Sequence, residues 1–317
     1  MHCTGKLPFI RFAQAHARVG ALVSMKIAFR FRWLSRACLL VLLFLPGSAS
    51  ASVQKLGPDL YAYISEDDSS ANSTFLIADK GILVVDTGLN QEQGRKLLAE
   101  IQKISPRPVR WIVNTHYHPD HRGGNSTVGP DATIISTAYT RERVIQNDPA
   151  QYGLNLVMHG ETWLYAGNHN VLIYEPGPAH TLGDLVVYFP DQQTIATGDL
   201  FLTNSCPAMD EGDMENWIRA LDHMLTLPVA HVVPGHFQAA SPAELKRFRD
   251  YLAALRDQVS SMYANGLSLQ QVKQRISLPL FKDFRQFPKY EATFADNAEA
   301  YYHQLEQRTK AKPQRAH

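Results

Sequence analysis

The sequence predicts an α/β protein in which β-sheets are layered with outer helices and followed by a helical C-terminal segment. Three observations predict this class: short apolar or alternating runs between residues 58 and 234, helix-like stretches interspersed among them, and a helical pattern from Ala243 onward. Strands that alternate with helices are typical of layered α/β folds. The 317 residues are enough for one large domain or two modest ones.

The predicted elements follow one another along the chain. Alternating patterns or short continuous apolar runs predict strands at residues 58–64, 73–78, 81–86, 110–114, 132–136, 171–175, 185–189, 194–197 and 229–234. Apolar residues three or four positions apart predict helices at residues 91–104, 138–147, 214–226, 243–262, 268–277 and 289–309. Most candidate functional residues fall at or just after the strand ends, where loops can hold polar side chains in fixed positions.

The first 51 residues have the pattern of a secretory signal. Residues 26–36 are basic, residues 37–46 are apolar, and Ala49-Ser50-Ala51 supplies the small residues of a cleavage site. The apolar run is too short to cross a bilayer, which needs about 20 residues. The pattern therefore predicts cleavage after Ala51 and a secreted, periplasmic location, with an uncleaved membrane anchor as the alternative.

Further boundaries are predicted around this signal. A signal that starts at Met25 has a normal length, so residues 1–24 are expected to be an upstream extension and residues 25–51 the signal itself. After it we expect one main domain at residues 52–262 and a helical segment at residues 263–317. Once the signal is removed, no stable membrane insertion is expected.

Charge and cysteine content narrow the function of the chain after residue 51. That part has 24 Lys and Arg residues against 30 Asp and Glu residues, a net charge of −6. A mildly acidic body argues against nucleic acid as a partner, because phosphate binding requires a basic face. Cys206 is its single cysteine, so no internal disulfide can form, and the thiol is either a small buried group or lies near a site.

Four side chains of types that bind metals occur within six residues, in the pattern H-x-H-x-D-H: His116, His118, Asp120 and His121. Imidazole and carboxylate groups suit zinc and related divalent metals, such as iron or manganese. Alternate residues of an extended segment point the same way, so His116 and His118 can share one ion. Asp120 and His121 then face a second ion, and the cluster predicts a two-metal site.

Three more candidate ligands lie further along the chain, each beside Gly or Pro at a predicted strand end: His180, Asp199 and His236. Five of the eleven histidines after residue 51 thereby belong to one ordered set. Five others have no such context and are interpreted as structural or solvated: His159, His169, His223, His231 and His303.

These residues resemble the motifs of the metallo-β-lactamase superfamily. The resemblance covers roughly residues 56–240 and rests on five motifs in the family's order: VDTG at 85–88, THYHPDH at 115–121, GPAHT at 177–181, TGD at 197–199 and PGH at 234–236. It implies an αββα sandwich of two mixed β-sheets with outer helices and the metals at one edge. The main domain would then be the catalytic one.

The resemblance also implies a role for each ligand. One ion would be held by His116, His118 and His180. The other would be held by Asp120, His121 and His236. Asp199 would bridge the two ions, and Asp86 would orient the cluster from behind, as such partners commonly do.

The implied function is that of an exported binuclear zinc hydrolase acting on a small molecule. A metal ion lowers the pKa of its bound water from 15.7 to about 7, so two ions that share one oxygen would hold hydroxide at neutral pH. That bridging hydroxide would attack a carbonyl-type substrate, such as a β-lactam or a lactone-like amide or ester. Asp120 would be the catalytic residue that orients it. The oligomeric state is left open.

Other functions remain as alternatives. Zinc β-lactamases that resemble this sequence have Cys or Ser where Asp199 stands, which counts against a β-lactam substrate. A thioesterase resembling hydroxyacylglutathione hydrolase matches the ligand set, although export makes a glutathione substrate less natural. The remaining alternatives are a hydrolase associated with quinoprotein or sulfur-oxidation systems and a metal-binding protein without catalytic activity.

Residues for substrate contact are less well defined by the sequence. Tyr117 lies between two ligands, and Phe201 and Met209 follow Asp199, so all three are candidates, with core packing as the alternative. Five aromatic residues of the C-terminal segment either cover the pocket or pack the helices: Phe281, Phe284, Phe287, Tyr290 and Phe294.

Overall fold

The computed structural model describes residues 51–147 and 154–311. Within these ranges, twelve strands form two sheets. The seven-stranded sheet follows chain order: β1 (Ser52–Lys55), β2 (Leu60–Ile64), β3 (Ser73–Ala78), β4 (Gly81–Val85), β5 (Val109–Val113), β6 (Thr133–Thr137) and β7 (Leu154–Met158). The five-stranded sheet has the order β12-β11-β10-β9-β8: β8 (Glu161–Ala166), β9 (His169–Tyr174), β10 (Val186–Phe189), β11 (Thr194–Ala196) and β12 (His231–Val233).

Both sheets are mixed. Strands β4 to β7 are parallel neighbours, as are β11 and β12, whereas the other pairs are antiparallel. The described part of the chain also contains eight α-helices: α1 (Gln91–Ile104), α2 (Pro119–Arg122), α3 (Asn125–Val128), α4 (Ala138–Asn147), α5 (Met214–Thr226), α6 (Pro242–Ala264), α7 (Leu269–Arg275) and α8 (Phe294–Ala311).

Strand β4 shows how the layers arise from a continuous apolar sequence. Side chains alternate along a strand, and all five residues of β4 are buried, so both of its faces are covered. Leu83 packs with Val187 of β10 in the core between the two sheets. Val84 packs with Leu97 of α1 on the outer side. The central strand therefore reads as apolar throughout because it lies between two layers.

The outer face of the second sheet is covered by α5 and α6. Helix α5 begins after Asp213, whose carboxylate accepts a hydrogen bond of 2.8 Å from the backbone N–H of Asn216. Trp217 of α5 and Phe248 of α6 pack with Val186 of β10. The layers are thus helix, sheet, sheet and helix, which confirms the expected αββα sandwich.

The C-terminal helices belong to the same helical layer. One hydrophobic cluster joins Trp217 to Val272 of α7, to Tyr301 of α8 and to Phe281, which lies between these two helices. Helix α8 begins at Phe294, later than predicted, because Pro288–Tyr290 forms a 3₁₀ turn and Glu291 has a φ of 54°. This irregular segment separates α8 from the preceding chain.

Strands β1, β7 and β8 were not among the predicted strands, and all three lie at sheet edges. An edge strand has one paired neighbour and a partly solvated face, so its sequence needs little apolar patterning. The polar sequence of β1 and the largely exposed side chains of β8 show this directly. The apolar pattern that predicts central strands is therefore weak at the margins of the sandwich.

The N-terminal predictions lie almost entirely outside the described residues. The structure describes Ala51 but not residues 1–50, which hold the predicted extension and nearly all of the predicted signal. Among the helices of the described ranges, none combines the length and apolar character that a membrane crossing requires.

Candidate metal centre

The predicted ligands lie in loops that follow strands of both sheets. The H-x-H-x-D-H segment follows β5, and His180 lies between β9 and β10. Asp199 is part of a short 3₁₀ turn after β11, and His236 follows β12. The site is thus assembled at one edge of the sandwich, where regular strands fix the positions of irregular loops.

The H-x-H-x-D-H segment changes conformation in its middle. Pro119 occupies the first position of α2, where its missing N–H costs no helical hydrogen bond. His116 and His118 precede the helix, whereas Asp120 and His121 lie within it. The start of the helix separates the four side chains into two pairs.

The first group consists of His116, His118 and His180 together with Asp199. Nε2 of His116 lies 2.9 Å from Nδ1 of His118, which in turn lies 3.2 Å from Nε2 of His180. Oδ2 of Asp199 is 3.6 Å from Nε2 of His180. One candidate donor atom of each residue lies within 4.8 Å of all the others.

The second group consists of Asp120, His121, His236 and again Asp199. Nε2 of His236 lies 3.1 Å from Oδ2 of Asp120 and 3.5 Å from Oδ1 of Asp199. Nε2 of His121 lies 3.4 Å from Oδ2 of Asp120 and 3.3 Å from Oδ1 of Asp199. Asp199 therefore presents one oxygen to each group, the arrangement of a bridging carboxylate.

Spacing and hydrogen bonding both fit bound cations. Ligand atoms about 2.0–2.1 Å from a tetrahedral zinc ion lie about 3.3 Å from one another, close to the separations in both groups. Nε2 of His121 and Oδ1 of Asp199 are buried and have no hydrogen-bond partner among the described residues. A cation between them would satisfy both atoms. The two groups divide the seven residues as the sequence resemblance implies; that they hold ions stays a prediction.

Asp86 supports the second group from behind. It follows β4 with a φ of 56°, a region that non-glycine residues seldom adopt. Its Oδ1 accepts from the Thr115 N–H at 2.8 Å, and its Oδ2 accepts from the Thr115 hydroxyl at 2.7 Å. Oδ2 also lies 2.7 Å from Nδ1 of His121, which fixes the tautomer whose Nε2 is free to bind a cation.

Two glycines allow the ligand loops to approach one another. A Cβ atom at Gly235 would lie 1.9 Å from Oδ1 of Asp199. Gly198 has a φ of 52°, and a Cβ atom there would lie 2.5 Å from Oγ1 of Thr115. A side chain at either position would displace a residue of the site, so the Gly-Asp and Gly-His motifs are steric requirements.

Burial and charge set opposite protonation tendencies in the two groups. Burial lowers the pKa of His180 to about 4, and burial and neighbouring histidines lower the pKa of His116 well below its usual value. Burial also acts to lower the pKa of His121, but Asp199, Asp120 and Asp86 outweigh it and raise that pKa well above its usual value. The excess negative charge of the second group is thus balanced by a proton that a cation would replace.

The two groups lie at the floor of an open cavity of roughly 470 Å³. Ligands that reach it are His118, Asp120, His180, Asp199 and His236. Apolar side chains form much of its wall: Leu89, Leu202, Ala208, Phe237, Phe287, Tyr290 and Ala292. A metal centre that opens into a cavity of this size has room for a substrate beside it.

The predicted substrate contacts lie elsewhere. Phe201 is fully buried and packs on Phe248, with ring centroids 5.6 Å apart. Met209 lines a separate, more polar cavity of roughly 510 Å³, which none of the seven ligands reaches. The Tyr117 hydroxyl donates a 2.6 Å hydrogen bond to Glu211. Phe201 is thus packed in the core, whereas Tyr117 and Met209 lie outside the lining of the ligand cavity, and their contact with a substrate stays a prediction.

Two contributions to the site come from residues outside the ligand motifs. Glu211 accepts hydrogen bonds from Tyr117 and Tyr139 at 2.6 Å and from Arg143 at 3.2 Å. Its contact with Tyr117 connects the H-x-H-x-D-H segment to the loop after Asp199. The C-terminal aromatic residues serve both predicted purposes, since Phe281 and Phe284 are packed in the core while others line the cavity. Only contacts between residues far apart in sequence reveal either feature.

Cys206 and the five histidines without motif context lie outside both ligand groups of the described chain. The Cys206 thiol is buried at the cavity wall, and burial raises its pKa to about 12. The His159 side chain is 98% exposed and paired with Glu175, whereas His169 is buried beside Asp59. None of the five belongs to the two ligand groups within the described chain.

The part of the chain that carries the site matches a known family. The match is to the metallo-beta-lactamase superfamily and spans residues 67–236, more than half of the chain. All seven ligand positions and Asp86 fall within the matched range.

Two curated proteins are similar to this chain over part of its length. The chain is 24% identical over 258 residues to a linear primary-alkylsulfatase of Pseudomonas sp., an alignment covering 64% of this chain and 49% of that protein. It is 29% identical over 175 residues to a hydroxyacylglutathione hydrolase of Synechococcus sp., covering 54% and 61%. The chain thus spans about half to three-fifths of the length of these relatives.

Solved structures share the fold. A metallo-beta-lactamase from Pontibacter korlensis superposes with a TM-score of 0.58 at 22% identity, covering 64% of this chain and 99% of that one. The inverting sec-alkylsulfatase Pisa1 from Pseudomonas sp. superposes with a TM-score of 0.68 at 16% identity, covering 84% and 52%. The second likeness takes in more of this chain than the first.

Proposed function

Because the chain belongs to the metallo-beta-lactamase superfamily, we propose that it is an exported hydrolase that uses two zinc ions to cleave a carbonyl-type substrate. The observation that carries this proposal is the pair of ligand groups that share Asp199 at the floor of an open cavity. A structural metal site usually closes its coordination shell, whereas a catalytic site keeps a position open. The cavity above the ligands therefore favours an enzyme over a metal-binding protein without activity.

The residues of the chain divide the catalytic work. When bound, two zinc ions would supply an activated water at neutral pH and stabilise negative charge on the reacting group. Asp120 lines the cavity, and its carboxylate can accept a hydrogen bond from an attacking water and so orient it. Burial acts to raise the pKa of Asp120, but His121 and His236 lower it below its usual value, so the acceptor is ionised at neutral pH.

Covalent catalysis by the cavity wall is disfavoured by the same geometry. Cys206 would need a thiolate to act as a nucleophile, but its pKa is raised to about 12. Its neighbour Ser205 is fully buried, and its hydroxyl makes only long contacts to backbone carbonyls, 3.4 and 3.5 Å away. Metal-assisted attack by water fits the cavity better than a serine or cysteine mechanism.

The lining of the cavity separates the alternatives for substrate. No Lys or Arg side chain is among the described residues that line it. The two carboxylates of a glutathione thioester would find no cationic partner there, although one relative is named hydroxyacylglutathione hydrolase. A lactone, ester or amide with little charge of its own fits this lining better.

Sulfate ester hydrolysis is a second candidate. It is favoured by the apolar wall of the cavity and by the alignment of 258 residues with a protein named linear primary-alkylsulfatase. The sulfate group would lie at the cationic centre and its organic part along the wall. The metal requirement is the same, so only the substrate distinguishes this reaction from carbonyl hydrolysis.

A substrate panel on the purified, zinc-loaded protein tests the proposal. Nitrocefin, a lactone, a p-nitrophenyl ester, a glutathione thioester and an alkyl sulfate are compared at neutral pH, before and after chelation. We expect turnover of the lactone or ester that chelation abolishes and zinc restores. The His118→Ala variant should lose both metal and turnover, whereas His159→Ala, an exposed histidine, should retain both. Turnover by metal-free His118→Ala protein would contradict the mechanism.

Export is tested separately. The protein is expressed from its own N-terminus in a bacterial host, the periplasmic fraction is collected, and the N-terminal residue of the processed chain is determined. A first residue of Ser52 is expected. A chain that stays in the cytoplasm with its first 51 residues attached would contradict this part of the proposal without affecting the hydrolase mechanism.

A further inference from the structure

Three aromatic side chains form a continuous edge to the cavity above the metal centre. This aromatic rim consists of Phe237, Phe287 and Tyr290. The rings of Phe237 and Phe287 are nearly parallel, 4° apart, with centroids separated by 6.0 Å. The Tyr290 ring follows at 6.4 Å from Phe287, and this residue is 57% exposed. A large apolar side chain exposed at the mouth of a cavity presents a surface that water covers poorly.

Both ends of the rim are held in place by the backbone. Phe237 directly follows the ligand His236 and has a φ of 70°, which is rare for a bulky residue. The buried Asn72 side chain holds this turn, because its amide donates to the carbonyl oxygens of Pro234 at 3.1 Å and Phe237 at 2.7 Å. An unusual conformation stabilised in this way beside a functional site is a sign of pre-organisation.

The other end of the rim comes from the segment before α8. The backbone N–H groups of Phe287 and Ala292 each donate to the other's carbonyl, at 3.0 and 3.2 Å, and close a small loop. Tyr290 lies within that loop. The Arg285 guanidinium lies 4.3 Å from the centre of the Phe237 ring and supports it through a cation–π contact.

Charge in the cavity disfavours anionic substituents near the rim. The charged side chains that line it, apart from the histidines, are acidic: Asp68, Asp120 and Asp199. Asp120 and Asp199 belong to the metal groups, so their charge is balanced when cations are bound. Leu202 and Ala208 add to the apolar wall. A substrate portion that leaves the metal centre therefore meets apolar carbon and no cationic partner among the described lining.

Resting on the proposed hydrolase function, the geometry points to a substrate that carries an uncharged hydrocarbon chain next to the bond that is cleaved. The hydrocarbon chain of the substrate lies against the aromatic rim while the reacting group lies at the metal centre. Each buried methylene then adds to binding through the hydrophobic effect. The rim residues select the hydrocarbon chain of the substrate and do not take part in the bond-breaking step.

Two chain-length series test this inference, one by turnover and one by binding. The first uses p-nitrophenyl esters from acetate to octanoate, together with alkyl sulfates of matching length. We expect kcat/KM for the series that is turned over to rise roughly two- to fourfold per added methylene until the cavity is filled. The second compares acetohydroxamate with octanohydroxamate, which share a metal-binding head, by calorimetric titration of the zinc-loaded protein. Octanohydroxamate should bind more tightly.

Variants of the rim assign the effect to these residues. Tyr290→Ala and Phe287→Ala should flatten both series, and Phe287→Leu should restore most of the slope, because it keeps an apolar side chain. Tyr165→Ala alters a similarly exposed tyrosine on edge strand β8, serves as the matched control and should leave both slopes unchanged. Because Tyr290 is largely exposed, its replacement keeps the test valid even if Phe287→Ala reduces stability.

The outcomes separate this inference from the function on which it rests. Turnover that is independent of chain length, or is fastest for acetate, overturns the hydrocarbon inference and leaves the hydrolase intact. Absence of turnover across both substrate series, with zinc bound, counts against the hydrolase proposal. In that case equal affinities for the two hydroxamates overturn the hydrocarbon inference as well, whereas tighter, rim-dependent binding of octanohydroxamate supports it.

Discussion

Asp86 and His121 lie 35 residues apart in sequence, and Oδ2 of the aspartate is 2.7 Å from Nδ1 of the imidazole. The opposite ring nitrogen, Nε2, lies 3.3 Å from Asp199 and is buried without a hydrogen-bond partner among the described residues. The residue that follows strand β4, rather than the helix that carries His121, therefore decides which nitrogen faces the second ligand group.

Replacing Asp86 by asparagine should weaken metal binding about 10- to 100-fold. Asparagine tolerates the φ of 56°, so the backbone is kept, but the amide cannot accept hydrogen bonds from both Thr115 and His121 as the carboxylate does. Zinc affinity is measured by competition with a chromophoric chelator. Asp59→Asn, which alters the pairing of the non-ligand His169, is the control and should bind zinc normally. Equal affinities of the two variants would contradict the orienting role.

Metal removal should destabilise the whole fold. Ligands follow strands of both sheets, so ions bound by them would link the two halves of the sandwich. Binding to the native state alone adds about 2.7 kcal/mol when free zinc exceeds its dissociation constant 100-fold. Thermal unfolding with and without chelator measures this difference, and restored zinc should reverse it. A midpoint that does not respond to zinc would show that the groups do not bind it in the native state.

The Gly235→Ala substitution should abolish zinc binding by the second group while leaving the fold intact. Its Cβ would lie 1.9 Å from Oδ1 of Asp199, so the shared carboxylate must move. Zinc stoichiometry and circular dichroism are measured together. Gly160→Ala is the control, because that glycine has a positive φ but nothing within 4 Å of an added Cβ. Full zinc occupancy in Gly235→Ala would mean that the loops can separate without consequence.

The Cys206 thiol should be unreactive in the native protein. Burial raises its pKa to about 12, so at pH 8 almost none of it is thiolate. Its ionisation also opposes folding at high pH: the unfolded thiol loses its proton near its ordinary pKa, so this contribution to stability is lost as pH rises from about 9 towards 12. A chromogenic disulfide reagent should react only after denaturant is added. Rapid labelling of the folded protein would contradict the burial.

Glu211 should stabilise the protein less as pH falls. Burial acts to raise its pKa, but hydrogen bonds from Tyr117 and Tyr139 and the charge of Arg143 bring it below its usual value. The contribution is therefore fully present above about pH 4.5 and is lost as pH falls through the folded pKa.

Urea unfolding measures this effect. Glu211→Gln should cost about 1–3 kcal/mol at pH 7, because the hydrogen bonds to a half-buried charge are weakened, and the difference from the unaltered protein should shrink below pH 4.5. Glu161→Gln, at an exposed position of β8, should cost little at either pH. A deficit in Glu211→Gln that is independent of pH would show that the carboxylate charge does not contribute.

The sequence predicts the central strands and the ligand loops because their causes are local. An apolar run such as β4 reflects burial on both faces, and Gly235 beside His236 reflects a clash that any side chain would produce. Both leave a signature within a few residues. The motif order then makes the two-metal arrangement a specific expectation.

Edge strands and the cavity walls leave no such signature. Phe201 and Phe287 are both aromatic residues in loops, yet one is fully buried in the core and the other lines the cavity. Tyr117 meets Glu211, 94 positions away, through a contact that no local pattern encodes. Such positions are decided by tertiary packing, which places similar residues in different environments.

The loop that supplies Phe287 and Tyr290 lies beyond residue 236, where the family match ends, whereas all seven candidate ligands lie within the matched range. Under the proposed function, the candidate ligands and this part of the aromatic rim are encoded in separate stretches of one chain. If the rim selects the substrate as proposed, substitutions in the later stretch would change substrate preference without altering the ligand groups, and exchanging that loop between relatives would transfer the preference.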